Sequence, residues 1–230
     1  LAAKRARSAA GRSSCRSSAL VVMAVRTPDP QFYLLDQYLV TMELQEIPAA
    51  ILFTKEDLDR GELADYRSRY ETAGYPVFSV SAENGSGLEA LRAYLAGKTT
   101  VLAGPSGVGK STLTNLLCPT ANMETGELSR KNLRGKQTTR HTELFCLGEN
   151  SYLLDTPGFT AVEVWGDTEA FKQAFPEIRA LEGQCRFTGC NHRAEPDCAV
   201  KAAVARGEIA ASRYESYRKM AEESAERRKY

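Results

Sequence analysis

Residues 104–111 read Gly-Pro-Ser-Gly-Val-Gly-Lys-Ser, the G-x-x-x-x-G-K-S/T spacing that cradles a polyphosphate. Gly104, Gly107 and Gly109 carry no Cβ, so the backbone can wrap closely around phosphate oxygens. The apolar run Thr99–Ala103 precedes the loop, and Leu113, Leu116 and Leu117 follow at helical spacing. Backbone N–H groups at the start of that helix point at an anion, and the helix dipole adds to the attraction. Gly104, Pro105, Ser106, Gly107, Val108, Gly109, Lys110, Ser111 and Thr112 are therefore expected to line the phosphates. Lys110 is expected to reach the β- and γ-phosphates, and the Ser111 hydroxyl to hold Mg²⁺.

Three more constellations complete such a site. Asp155-Thr156-Pro157-Gly158 follows the apolar Tyr152-Leu153-Leu154, where a second Mg²⁺-directed carboxylate belongs. The Gly158 N–H is expected to meet the γ-phosphate and sense its loss. Between these motifs lies Gly135-Lys136-Gln137-Thr138-Thr139-Arg140, a polar loop suited to delivering a threonine to Mg²⁺; Thr139 is the preferred ligand and Thr138 the second. Upstream, Thr54-Lys55-Glu56-Asp57 closes the apolar run Ala50–Phe53. A carboxylate at Asp57 can accept from guanine N1–H and the exocyclic amine, donors that adenine does not present together. The Lys55 stem is expected to pack along the base or the phosphate loop. Ser81-Ala82 is expected to place a backbone N–H on guanine O6.

The six cysteines are unevenly spread: Cys15, Cys118 and Cys146 stand alone, while Cys185, Cys190 and Cys198 cluster around His192. Three thiolates and one imidazole make a closed tetrahedral Zn²⁺ set of the structural kind, in a reducing compartment. Arg186, Arg193 and Lys201 lie around it, and Arg213, Arg218, Lys219 and Arg227 follow in the last helical stretch. Such side chains can contact RNA phosphates.

The elements that must hold these residues follow from periodicity. Ala19–Val25 reads as a buried strand. Phe32–Leu44, with Leu34, Leu35, Tyr38, Leu39 and Met42 at helical spacing, reads as an amphipathic helix. Strands over 50–53, 77–80, 99–103, 143–147 and 152–154 alternate with helices over 66–73, 88–95 and after the phosphate loop. The alternation predicts an α/β fold with a mostly parallel sheet and helices on both faces. Beyond Phe159 the pattern changes to short helical stretches, the Cys/His cluster and two helices over 199–206 and 209–228. The expected organisation is an unstructured or artefactual leader over 1–18, a nucleotide-binding domain over 19–174 and a zinc-binding domain over 175–230. Net charge is only +1, with 43% hydrophobic and 26% charged residues. Bulk charge does not mark a nucleic-acid binder, and no apolar run approaches the ~20 residues of a membrane span.

In this order the motifs resemble the circularly permuted GTPases of the RsgA/YjeQ family, over about residues 19–220. Common GTPases place the phosphate loop first and base recognition last; here base recognition comes first. The resemblance implies a P-loop GTPase fold with permuted motif order and a small C-terminal zinc-binding helical domain. It implies hydrolysis of GTP to GDP and phosphate, with Mg²⁺ and one structural Zn²⁺ per chain. It also implies a role in late maturation of the small ribosomal subunit: the protein binds the subunit and its rRNA in the GTP state and leaves on hydrolysis. A cytoplasmic monomer that touches no membrane is expected, with organellar targeting by the Arg/Ser/Ala-rich leader as the alternative. Members usually have Asn where Thr54 stands, although Rho-like GTPases use the same Thr. They usually have His where Gln137 stands, and Gln can still orient water. Phe159 occupies the place of the catalytic Gln of Ras-like proteins, which implies slow hydrolysis stimulated by the subunit. The catalytic set is then Lys110, Gln137, Thr139, Asp155 and Gly158. The family's N-terminal OB-fold domain is expected to be absent from this chain. Two other readings share these motifs: an RNA-binding zinc module with a weakly active nucleotide site, and a P-loop metabolic kinase.

Overall fold

The computed structural model describes residues 16–121, 143–155 and 162–227. Its strands are β1 (Arg16–Ala24), β2 (Ala49–Thr54), β3 (Val77–Ser79), β4 (Lys98–Ala103), β5 (Glu143–Gly148) and β6 (Ser151–Asp155). Its helices are α1 (Phe32–Leu44), α2 (Leu63–Glu71), α3 (Leu88–Leu95), α4 (Lys110–Leu117), α5 (Thr168–Ala174), α6 (Pro176–Arg179), α7 (Ala199–Ala205) and α8 (Ala211–Arg227). The strands form one sheet in the order β3-β2-β1-β4-β6-β5. Every pair is parallel except the β5–β6 hairpin. Central β1 is buried on both faces from Ala19 to Ala24, which is why it reads as an unbroken apolar run. Among the described residues, no helix is long and apolar enough to cross a membrane.

β1 starts earlier than its apolar run. Arg16, Ser17 and Ser18 pair with Lys98, Thr99 and Thr100, and the Ser18 and Thr100 hydroxyls lie 2.9 Å apart in the interior. A leader reaching to residue 18 therefore overshoots, because its last three residues are in the sheet. Hydroxyls that satisfy each other can be buried without water, and composition alone does not reveal that pairing.

The chain packs as two units. One draws on the described residues of 1–30, 47–60 and 77–160, the other on those of 31–46, 61–76 and 161–230. In the sheet unit, Leu20, Val22, Leu52 and Leu102 pack against Leu91 and Leu95 of α3 and Leu113 and Leu117 of α4. In the other, Val40 of α1 joins Phe171, Phe175, Val200 and Tyr217 in one apolar cluster. Helices α1 and α2 thus group with the C-terminal helices, whereas a division at 174/175 follows sequence order alone.

A buried ion triad sits in this second unit. Arg213 Nη1 donates to Asp36 Oδ1 at 2.7 Å, and Arg213 Nε and Nη2 donate to Glu177 at 2.7 and 3.2 Å. The guanidinium lies 4.6 Å from the Phe175 ring centroid, 5.5 Å from that of Tyr70 and 5.6 Å from that of Tyr75. Arg213 is therefore no surface cation for RNA: its side chain is 1% exposed. Burial raises the Asp36 carboxyl above its ordinary range, and the Arg213 charge opposes that shift.

Candidate nucleotide and metal sites

Parallel pairing brings the carboxyl ends of β2, β4 and β6 to one edge of the sheet, next to the point where the strand order reverses. Open α/β sheets place their ligands at such an edge. The phosphate loop leaves β4 at Gly104, whose φ is 148° and where a Cβ would stand 2.2 Å from the Val22 carbonyl oxygen. Only glycine fits there. Gly109, at φ 91°, turns the chain into α4. Lys110 opens that helix, buried, and donates to the Gly104 and Pro105 carbonyls at 2.8 Å each. Burial pushes the Lys110 ammonium down to about 8, against the pull of the Asp155 carboxylate. Asp155 is fully buried at the end of β6, in register with Leu102. Half-buried Ser111 and Thr112 occupy the first turn of α4. A helix N-terminus, a cation, a hydroxyl and a carboxylate at one strand edge can hold a polyphosphate with a divalent ion.

The base-side motif is tied to this loop. Thr54 Oγ1 lies 2.5 Å from the Val108 carbonyl oxygen and 3.2 Å from that of Met23. Its single proton serves the shorter contact. Lys55 turns at φ 58°, and its Nζ donates to the Thr27 carbonyl and, at 3.1 Å, to the Gly107 carbonyl. The Lys55 stem thus runs along the phosphate loop. Glu56 opens a short 3₁₀ turn by donating its N–H to the Val80 carbonyl. Asp57 follows, and its Oδ1 accepts from Ser81 Oγ at 2.5 Å. The Ser81 N–H is spent on the Ser86 carbonyl at 3.1 Å. Of the Ser81-Ala82 pair, Ala82 lines the cavity, while Ser81 acts through its side chain on Asp57. That hydroxyl was legible as a residue but not as a positioning group. Asp57, Ala82, Thr112 and Leu116 line a cavity of about 410 Å³, within the range of small-molecule sites.

Cys185, Cys190, His192 and Cys198 converge, with all four ligand atoms within 4.8 Å of one another. Cys185 Sγ lies 3.8 Å from Cys198 Sγ, and His192 Nδ1 lies 3.5 Å from Cys185 Sγ and 3.4 Å from Cys198 Sγ. A tetrahedron with Zn–S near 2.3 Å has S···S edges of about 3.8 Å and slightly shorter S···N edges. The donor set fits that ion. Burial pushes the Cys190 thiol up to about 12, so a cation is what would hold it as thiolate. Glu195, inside the cluster, accepts from the Asn191 and Arg193 N–H groups at 2.8 Å each. Tyr214 and Tyr217 of α8 donate to the His192 and Asn191 carbonyls at 2.6 and 2.8 Å. These three braces carry no motif and escape a motif search. The basic residues around the cluster have partners: Arg186 pairs with Asp197, Arg193 with Glu222, Arg218 with Glu215, and Lys201 bonds the Glu195 carbonyl. Exposed pairs of this kind are worth at most about 1 kcal/mol and exchange readily for phosphate.

A family model described as RsgA GTPase matches residues 14–165. The chain belongs to the RsgA GTPase family. Two curated RsgA relatives, both called small ribosomal subunit biogenesis GTPase, agree with this. The one from Agathobacter rectalis is 44% identical over 92% of this chain and 71% of its own length. The one from Clostridium perfringens is 44% identical over 92% of this chain and 74% of its own. The solved structure of YjeQ from Thermotoga maritima superposes with a TM-score of 0.74 at 36% identity, over 91% of this chain and 72% of that one. YloQ, a circularly permuted GTPase, gives 0.73 at 33% identity, over 92% and 69%. The RsgA fold expected from the motif order is the fold observed: a mostly parallel sheet with the phosphate loop on its fourth strand. Gln137, Thr138, Thr139 and Gly158, with Thr156, Pro157 and Phe159, lie outside the described residues.

Proposed function

We propose that this chain hydrolyses GTP to assist late maturation of the small ribosomal subunit. It binds the subunit and its rRNA in the GTP state and leaves on hydrolysis. The observation that carries the reading is the Thr54 hydroxyl on the Val108 carbonyl at 2.5 Å, which ties the segment expected to read guanine to the phosphate loop. Membership of the RsgA GTPase family and the names of the relatives support it.

In this reading Lys110 and the loop N–H groups hold the β- and γ-phosphates. Asp57, kept in place by Ser81, accepts from guanine N1–H and the exocyclic amine, and adenine leaves that carboxylate unsatisfied. Ser111, Thr139 and Asp155 would hold Mg²⁺, which would neutralise charge on the phosphate oxygens. Gln137 orients water, and the Gly158 N–H senses the γ-phosphate. Cys185, Cys190, His192 and Cys198 would hold one Zn²⁺, and with four protein ligands its role would be structural. The chain works as a monomer in the cytoplasm.

The test is GTP turnover with and without purified small subunits. Subunits are expected to raise turnover, and unchanged turnover overturns the ribosomal part.

Lys110 gives this site a pH signature. A bound polyphosphate favours the charged amine, so the pKa in the complex lies above the value of about 8 in the free chain. Binding then takes up a proton. GDP affinity is full below about pH 8 and falls as pH rises above it, by at most about tenfold per unit. Calorimetric titration from about pH 7 to about pH 9.5 checks this, and a flat profile contradicts it.

A further inference from the structure

A second cavity, of about 260 Å³, which the nucleotide site does not use, opens against the metal cluster, with Cys185, Cys190 and His192 in its lining. It lies wholly within the C-terminal unit, between α5, α6 and the loop carrying the metal ligands. A cavity of about 150 Å³ holds benzene, and scaling from six heavy atoms to the ten or eleven of a purine gives roughly 250–275 Å³. With the metal ion in place, the remaining space is at most that of one purine base.

The lining suits such a base. Phe187, 45% exposed, offers a ring, and Ile178, almost wholly buried in the apolar cluster, borders the cavity. The Arg186 guanidinium stands 5.5 Å from the Phe187 centroid. Phe187 lies between Cys185 and Cys190 in sequence, so a bound metal fixes this wall at both ends. Glu182 accepts from Gln173 Nε2 at 3.1 Å and retains lone pairs for an exocyclic amine. Charges on the lining are mixed, Lys172 and Arg179 against Glu169 and Glu182. Mixed charge disfavours a phosphate group or an ionic side chain and suits a neutral heteroaromatic ring.

We propose that this cavity receives a purine splayed out of single-stranded RNA, stacked on Phe187 with its amine on Glu182. Unstacked bases held on aromatic side chains are the usual currency of single-stranded RNA recognition. That the RNA is ribosomal rests on the function proposed above; the fit of the cavity does not.

The test uses the full chain and labelled single-stranded oligo(A), followed by fluorescence anisotropy. Phe187→Ala is expected to weaken binding roughly tenfold or more, and Phe187→Tyr to retain it. The salt dependence of binding stays unchanged in Phe187→Ala, because stacking releases no counterions. Oligo(U) is expected to bind more weakly than oligo(A), and GTP turnover without subunits to be unaffected in both variants. Absence of oligo(A) binding, or equal binding by the parent and Phe187→Ala, overturns the proposal. So does a Phe187→Ala defect seen on intact subunits alone, which assigns this wall to a ribosomal protein. Loss of subunit stimulation with oligo(A) binding intact removes the ribosomal role and leaves the base pocket standing.

Discussion

Chelation of Zn²⁺ is expected to release about one ion per chain and to unfold the C-terminal helices before the sheet. The loop from Cys185 to Cys198 has little regular structure, and α7 begins immediately after the last ligand. That loop is tied to α8 by the Arg193–Glu222 ion pair and by the hydroxyl donations from Tyr214 and Tyr217 to the His192 and Asn191 carbonyls. Both acceptors stand where the chain turns at the metal, with His192 itself at φ 56°. Structural Zn²⁺ supplies roughly 10–16 kcal/mol in small zinc domains, comparable with the entire net stability of an ordinary domain, about 5–15 kcal/mol. Its loss therefore leaves this unit without enough to offset chain entropy. Far-UV circular dichroism during chelation, with released metal measured in parallel, checks the prediction. Cys190→Ser is expected to reproduce the result without chelator. Full helical signal after complete release would count against it.

Arg213→Ala is expected to destabilise the protein by about 3–5 kcal/mol, because it strands two buried carboxylates. Asp36 and Glu177 have side chains 1% and 6% exposed, and both accept from this one guanidinium. The deficit has a pH sign. Burial already raises Asp36 above its ordinary value, and removing the opposing cation raises it further. A carboxyl whose folded pKa exceeds its unfolded value contributes stability below the unfolded pKa and loses it as pH rises through the folded one. The variant is thus nearest the parent at acid pH, around 4, and falls away toward neutrality. Urea unfolding of both proteins across that range measures it. A difference under about 1 kcal/mol at neutral pH would mean that the triad is not what holds α1, α6 and α8 together.

What the sequence disclosed, and what it hid, follows from the range of the interactions. Helix α1 was readable to the residue, Phe32–Leu44, because its apolar spacing is local. Motifs at the ends of β2, β4 and β6 were readable because each is a short string beside an apolar run. Arg213 was misread as a surface cation because its partners Asp36 and Glu177 are distant in sequence, and composition counts charge without counting partners. Ser18 was assigned to the leader for the same reason, since its partner is Thr100. The grouping of α1 and α2 with the C-terminal helices was hidden because chain order suggests neighbours that packing does not choose. At the nucleotide site, Thr54 and Ser81 were both singled out, yet their roles depend on the Val108 carbonyl and the Asp57 carboxylate. Such pairings exist only once the sheet has brought its strand ends together.

GTP turnover by this chain is expected to depend on Lys110 and the loop around it. Steady-state phosphate release from GTP in the presence of small ribosomal subunits, compared between the parent and Lys110→Ala, tests it most directly. Removing one preorganised donor from a developing oxyanion typically costs on the order of 10²–10³ in turnover. Subunit-stimulated release by the parent and background release by Lys110→Ala is the predicted result. Equal turnover by the two proteins would mean that Lys110 takes no part in hydrolysis.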